Sequence, residues 1–248
     1  TVMSDCCAPK NGYSQFDIAV IGAGSAGFSA AITAAGEGAQ VALIGHGTIG
    51  GTCVNVGCVP SKTMIRAAEA LHGARAAARF EGITGKAHVD DWGKVVAAKD
   101  DLVETLRRKK YTDLLPDYNS VAYMKGAARL TDDGVAFNGT AIPVRRTIIA
   151  TGSMAAVPDI PGMSDVPYLT STTALELTEL PNSMLVVGGG YIGCELAQIF
   201  ARAGVQVTLA TRSRLLPETE PEVSEALTTF LSDEGIRVVS GISYQSIQ

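Results

Sequence analysis

The stretch Phe16–Gly45, "FDIAVIGAGSAGFSAAITAAGEGAQVALIG", decides the fold. It reads as an apolar strand, a glycine turn, a helix of small residues and a second apolar strand. Unbroken apolar runs mark strands buried on both faces, so this is the pattern of a parallel βαβ unit. Gly22, Gly24 and Gly27 stand in G-x-G-x-x-G spacing, directly after the first strand and at the opening of the helix. There the first two glycines permit a tight turn and close approach of the backbone to a pyrophosphate. The third lets helix and strand pack, and the helix N-terminus faces the negative charge.

The same pattern returns at Ser183–Arg212, "SMLVVGGGYIGCELAQIFARAGVQVTLATR", with Gly188, Gly190 and Gly193 in place of the first three glycines. The repetition predicts an α/β protein with two Rossmann-like dinucleotide-binding units. Between them lie a cysteine-bearing helix, a helical stretch from about Asp90 to Tyr111, and short strands from Val121 to Ala150, the last ending in a Thr-Gly turn. A helix from about Glu220 to Glu234 and the strand "IRVVS" follow, and the second unit is expected to be unfinished. The division expected is a flexible arm over 1–15, a first cofactor domain over 16–154 and a second over 155–248.

The strand after each cradle qualifies its ligand. An acid commonly stands about 20 residues past the first glycines to bind a ribose hydroxyl. Gly45, followed by His46, occupies that place, and Gly45→Glu is expected to restore the contact. The second unit ends its strand in "ATRSR", where Arg212 and Arg214 suit a 2′-phosphate through charge-assisted bonds. NADPH is therefore expected over NADH.

Composition narrows the partners. The chain has 248 residues, 46% of them apolar and 18% charged, and a net charge of −5, which is read as lacking a basic run to offset it. Nucleic acid and membrane surfaces are unlikely partners on that reading. Ile18–Ile44 is apolar enough to imitate a membrane span but is broken by glycines and carries Glu37. Five cysteines, with Cys6 and Cys7 adjacent, do not make a secreted disulfide framework, and a cytoplasmic protein is expected.

"GGTCVNVGCVPSKTMIRAAE", Gly50–Glu69, places Cys53 and Cys58 five residues apart. On a regular helix that spacing leaves the two about 140° apart, so pairing them needs irregular backbone. Gly50, Gly51, Gly57 and Pro60 supply it. A zinc site usually wants four ligands, and none accompany the pair. A permanent disulfide closing so short a loop stabilises little. A redox pair is the remaining reading. Cys194 reads as a small buried apolar residue.

"GGTCVNVGCVPSK", both cradles and "ATGS" together closely resemble the pyridine-nucleotide disulfide oxidoreductases, the flavoprotein group of glutathione reductase, dihydrolipoamide dehydrogenase and mercuric reductase. The resemblance implies the three-layer ββα fold of the FAD/NAD(P)-binding glutathione reductase type. FAD would sit in the first cradle with Gly22, Gly24, Ser25, Gly27, Gly51, Thr52, Lys62, Ala127, Thr151 and Gly152. NADPH would sit in the second with Gly188, Gly190, Tyr191, Gly193, Arg212 and Arg214. Cys58 would be the thiol next to the flavin, Cys53 the exposed exchanging thiol, Lys62 a cation beside the flavin, Glu195 its ion-pair partner and Tyr191 a gate over the nicotinamide site.

"GTIGGTCVNVGCVPSKTMIRAAE" and "PYLTSTTAL" look like the mercuric reductase branch. That resemblance implies reduction of Hg(II), free or as thiol complexes, held by Cys53 and Cys58; the adjacent Cys6 and Cys7 offer soft thiolates for such a metal, but an unremarkable Cys-Cys pair is the favoured reading of them. The alternatives are a disulfide reductase of the glutathione reductase type and a non-catalytic flavin-binding fragment. Family members run longer than this chain, so it is expected to be truncated, inactive by itself and part of a homodimer when full-length.

Overall fold

The computed structural model describes residues 15–132 and 134–247; Cys6, Cys7 and most of the expected N-terminal arm lie outside them. By packing, the chain divides into two units, one running to Cys58 and resuming over Leu102–Met154, the other made of Val59–Asp101 and the residues from Ala155 on.

In the first unit, β1 (Phe16–Ile21), α1 (Ser25–Gly36) and β2 (Val41–Gly45) form the βαβ crossover expected from their sequence. With β3 (Val121–Lys125) and β7 (Val144–Ile149) the strands build a parallel sheet in the order β3-β2-β1-β7. Ile18 pairs with Val41 on one side of β1 and with Arg146 on the other. The central strands are completely buried at Ala19, Val20, Val41, Ala42 and Leu43, which is why they read as continuous apolar runs.

β4 (Ala128–Thr131), β5 (Gly134–Phe137) and β6 (Thr140–Ile142) form an antiparallel meander. Asn138 and Gly139 both have positive φ, 48° and 85°, at the β5–β6 turn, the conformation for which Asn-Gly is the favoured pair. Val135 and Phe137 of the meander share a core with Phe16, Ala19, Ala42 and Ile44 of the parallel sheet. Helix, parallel sheet and meander make the three-layer ββα arrangement.

The second unit repeats the crossover with β8 (Ser183–Val187), α6 (Tyr191–Ala203) and β9 (Gln206–Ala210), extended by α7 (Pro221–Asp233) and β10 (Arg237–Val239) into a parallel sheet of order β10-β9-β8. α6 buries Cys194, Ala197, Ile199, Phe200 and Ala203 along one face, and Gly204 ends it in the left-handed region.

Two further helices complete the unit's core. Met64 of α3 (Cys58–Ala76) and Trp92 and Val96 of α4 (Trp92–Arg107) are buried with Phe200, Leu209 and Leu231. Packing therefore groups Val59–Asp101, expected in the 16–154 domain, with the second unit, because its apolar side chains share a core with α6. Glu234, just past α7, links α6 and α3. It accepts two hydrogen bonds of 2.6 Å from Arg202 and one of 2.9 Å from Gln198, with His72 of α3 at 3.8 Å. Burial raises its carboxyl, and Arg202, His72 and Gln198 together outweigh that and hold it below the usual range.

Candidate functional site

The first cradle is built by steric exclusion. Gly22 has φ 117°, and a Cβ there would stand 2.0 Å from the Ala150 carbonyl oxygen. A Cβ at Gly27 would stand 1.8 Å from the carbonyl oxygen of Gly22. The second cradle repeats the left-handed turn and the packing glycine: Gly188 has φ 118°, with nothing within 4 Å of its Cβ position, and a Cβ at Gly193 would stand 2.0 Å from the Gly188 oxygen. α1 and α6 start at Gly24 and Gly190 in extended backbone, with no side chain capping either helix. Each leaves first-turn N–H groups for an anion.

A cavity of about 540 Å³ opens over the first cradle. Gly22, Gly24, Ser25, Gly51, Thr52, Thr151 and Gly152 line it, as do Ala127 and Cys53, whereas Cys58 and Gly27 do not. Gly27 lies behind it as the packing glycine, buried against Gly22. The donor set fits the diphosphate of a dinucleotide: small residues where the backbone must approach, and an uncapped helix N-terminus.

The cysteine loop is docked directly on this turn. α2 (Gly51–Asn55) is a single short helix; Gly50 donates to the Ala23 carbonyl at 2.8 Å and forms a bridge with Gly24. A Cβ at Gly51 would stand 2.6 Å from Gly24 Cα, so "GG" ahead of Cys53 permits this contact. α2 stops at Val56 and α3 starts at Cys58, with Gly57 pressed against the Thr52 carbonyl oxygen, 3.0 Å from where its Cβ would be. This is the irregular backbone that the spacing of Cys53 and Cys58 requires.

Both cysteines are exposed and present as thiols. The hydrogen bond from Cys53 to Cys58 pushes the Cys53 thiol above its ordinary value, with burial adding to the shift and the Lys110 ammonium opposing it. Since the chief cause is Cys58, Cys58→Ala lowers the Cys53 pKa and raises its thiolate fraction at a given pH. The expected result is faster alkylation of Cys53 near neutral pH and a rate profile displaced to lower pH; an unchanged profile means the hydrogen bond does not hold the proton. Cys194 differs: it is buried, donates to the Gly189 carbonyl at 3.7 Å, and burial pushes its thiol up to about 11. No group of three or more His, Cys, Asp or Glu side chains able to hold a metal ion occurs among the described residues.

In the second unit Lys62, one helical turn past Cys58, donates to Glu195 near the start of α6. Both side chains are substantially exposed, so the pair contributes little to stability and serves to orient the ammonium. Tyr191 opens α6 and is 65% exposed. The two arginines separate in role. Arg214 donates to the Pro217 and Thr219 carbonyls at 2.9 and 2.6 Å and so fastens its own loop. Arg212 is exposed and has no partner among the described residues.

Three features escape the sequence reading. A Cβ at Gly45 would stand 2.6 Å from Ala23 Cβ, so an acid there needs the phosphate turn to give way, and Gly45→Glu does not simply restore a ribose contact. The Ala127 N–H and carbonyl are both held by Asn138, at 3.2 and 3.0 Å, where Ala127 lines the groove. The chain also has a basic run after all, Arg107-Arg108-Lys109-Lys110, legible in the sequence but overlooked; it ends α4 and enters a π-helical turn over Arg108–Thr112.

A family model described as pyridine nucleotide-disulphide oxidoreductase matches residues 16–248. The chain is 48% identical over 232 residues to a mercuric reductase of Streptomyces lividans, covering 91% of this chain and 49% of that protein. It is 44% identical over 247 residues to one of Bacillus cereus, covering 99% of this chain and 39% of the relative. It thus spans less than half the length of these relatives. Among solved structures, the HOCl-induced flavoprotein disulfide reductase RclA from Escherichia coli superposes with a TM-score of 0.79 at 31% identity, over 94% of this chain and 50% of that one. The Cu(II) complex of RclA gives 0.78 at 29% identity, over 95% and 51%.

Proposed function

Because the chain belongs to the pyridine nucleotide-disulphide oxidoreductase family, we propose that it is the cofactor-binding part of an NADPH-dependent flavoprotein that reduces Hg(II) to Hg(0). The balance is NADPH plus Hg(II) giving NADP⁺, a proton and Hg(0). The observation that carries the reading is a pair of exposed thiols, Cys53 and Cys58, set on either side of a helix break, with Cys53 lining the groove over the first dinucleotide cradle.

In this reading the first unit holds FAD: Gly22, Gly24, Ser25 and the first-turn N–H groups of α1 take the diphosphate, and Gly51, Thr52, Ala127, Thr151 and Gly152 line the rest. Bound FAD supplies the two-electron relay between nicotinamide and thiols. The second cradle, with Gly188, Gly190, Gly193 and Tyr191, holds NADPH, and Arg212 meets the 2′-phosphate while Arg214 shapes its loop. Lys62, oriented by Glu195, provides a fixed cation. Cys53 and Cys58 bind Hg(II) as substrate; two soft sulfurs suit a soft ion, and each thiol sheds its proton as it binds. The whole protein is a homodimer of the cytoplasm on this reading, and no helix among the described residues is long and apolar enough to cross a membrane.

The test is NADPH oxidation by the full-length protein on adding Hg(II)-thiol complexes, with Hg(0) vapour trapped and counted. One Hg(0) per NADPH is expected, and NADH should serve poorly. Charge-assisted contacts of about 1.5–3 kcal/mol make the expected loss in NADPH efficiency for Arg212→Glu about tenfold to a hundredfold. The similarity to flavoprotein disulfide reductases favours one second reading, reduction of a small disulfide. NADPH oxidation with such disulfides but not with Hg(II) would establish that reading instead.

A further inference from the structure

We infer that Asn55 and Arg107 are positioning residues for the Cys53–Cys58 pair, an inference that rests on the redox reading above. Asn55 lies between the two cysteines at the end of α2. Its Nδ2 donates to the Ile49 carbonyl at 2.9 Å and to the Gly51 carbonyl at 3.0 Å, tying the end of the short helix back to the backbone that leads into it. Its Oδ1 accepts from Arg107 Nη1 at 3.1 Å, so the amide is gripped from both ends.

Arg107 is itself well placed to hold still. It is the last residue of α4, and the π-helical turn that follows is anchored on the same loop: Tyr111 hydroxyl meets Ser25 Oγ at 3.0 Å, and its ring lies 3.2 Å from where a Gly50 Cβ would be. Local π-helical turns cost regular hydrogen bonding and occur often at functional sites. Here the turn lets one helix end reach both the phosphate turn and the cysteine loop. α2 is only five residues long, and its end is closed by Val56 N–H to the Thr52 carbonyl at 2.9 Å. The Asn55 amide therefore closes a ring of bonds around the segment that sets how Cys53 faces Cys58.

Oxidation of the pair removes two electrons and two protons from the thiols and forms one S–S bond; with oxidised glutathione as acceptor the products are the protein disulfide and two glutathione thiols. A held geometry raises the effective concentration of one thiol at the other, and releasing it lowers that concentration. Loss of the Asn55 or Arg107 bond is expected to shift the dithiol–disulfide equilibrium about tenfold toward the dithiol, equivalent to about 30 mV for a two-electron couple.

The experiment equilibrates full-length, flavin-loaded parent, Asn55→Ala, Arg107→Met and Arg107→Lys in a series of glutathione redox buffers. Thiols are then trapped by alkylation, and the peptide carrying both cysteines is quantified by mass spectrometry. Asn55→Ala and Arg107→Met should show the tenfold shift, and Arg107→Lys, which keeps one donor, should recover most of it. If the Asn55 variant does not fold, the two Arg107 variants carry the comparison. An equilibrium constant equal to the parent's in folded Arg107→Met, even with a lower melting temperature, makes the role merely structural and overturns the inference. If the parent itself forms no Cys53–Cys58 disulfide in any buffer, the redox reading fails first and the positioning role with it.

Discussion

On the proposed reaction, replacing either Cys53 or Cys58 with serine in the full-length, flavin-loaded protein is expected to lower Hg(II)-dependent NADPH oxidation by about 10³-fold or more, because members of a unit that acts jointly do not substitute for one another. Slow NADPH oxidation by oxygen should persist in both variants, which separates loss of the thiol pair from loss of folding. The variants also decide which thiol serves which partner. The resemblance assigns Cys58 to the flavin, whereas Cys53 is the one that lines the groove over the first cradle. If Cys58 faces the flavin, Cys53→Ser shows long-wavelength thiolate–flavin absorbance without reductant, and Cys58→Ser lacks it. Absorbance confined to Cys58→Ser would exchange the two roles. Retention of full Hg(II) turnover in either variant would remove the pair from the reaction.

Gly27→Ala is expected to cost more than about 4 kcal/mol of stability, a size reserved for strain or overpacking that cannot relax. The added methyl would sit 1.8 Å from the Gly22 carbonyl oxygen and 3.3 Å from Val20, inside the turn proposed to receive a diphosphate. Urea unfolding of the chain measures the loss, and the full-length variant should emerge from desalting without flavin absorbance. Gly36→Ala, at the other end of the same helix, is the control: nothing lies within 4 Å of its Cβ position, and the change should be neutral or stabilising by about 0.5–1 kcal/mol. Gly193→Ala places the same clash in the second unit and should impair NADPH use while flavin stays bound. Equal stability of Gly27→Ala and Gly36→Ala would mean that helix and strand need not approach so closely.

How far such arguments reach from sequence depends on the range of the interaction. A βαβ crossover is specified by apolar periodicity and by glycines whose conformation is local, so Phe16–Gly45 and Ser183–Arg212 declare both βαβ units. The need for broken helix between Cys53 and Cys58 follows from helix geometry alone. Resemblance supplied Glu195 as the partner of Lys62, a pair that spacing could not suggest because 133 residues separate them.

The tertiary structure decided what depends on neighbours distant in sequence. Arg212 and Arg214 look equivalent as letters, yet only Arg214 is spent on its own loop carbonyls. Ala127 faces the groove with its backbone already taken by Asn138, and Gly45 abuts Ala23. Arg107 reaches Asn55 only because a π-helical turn ends its helix beside the cysteine loop. Val59–Asp101 joins the second unit because Met64, Trp92 and Val96 bury themselves with Phe200, not because of any boundary signal in their own sequence. Backbone conformation is written in short patterns; which side chain a given donor, cation or apolar surface meets is settled only when packing brings those patterns together.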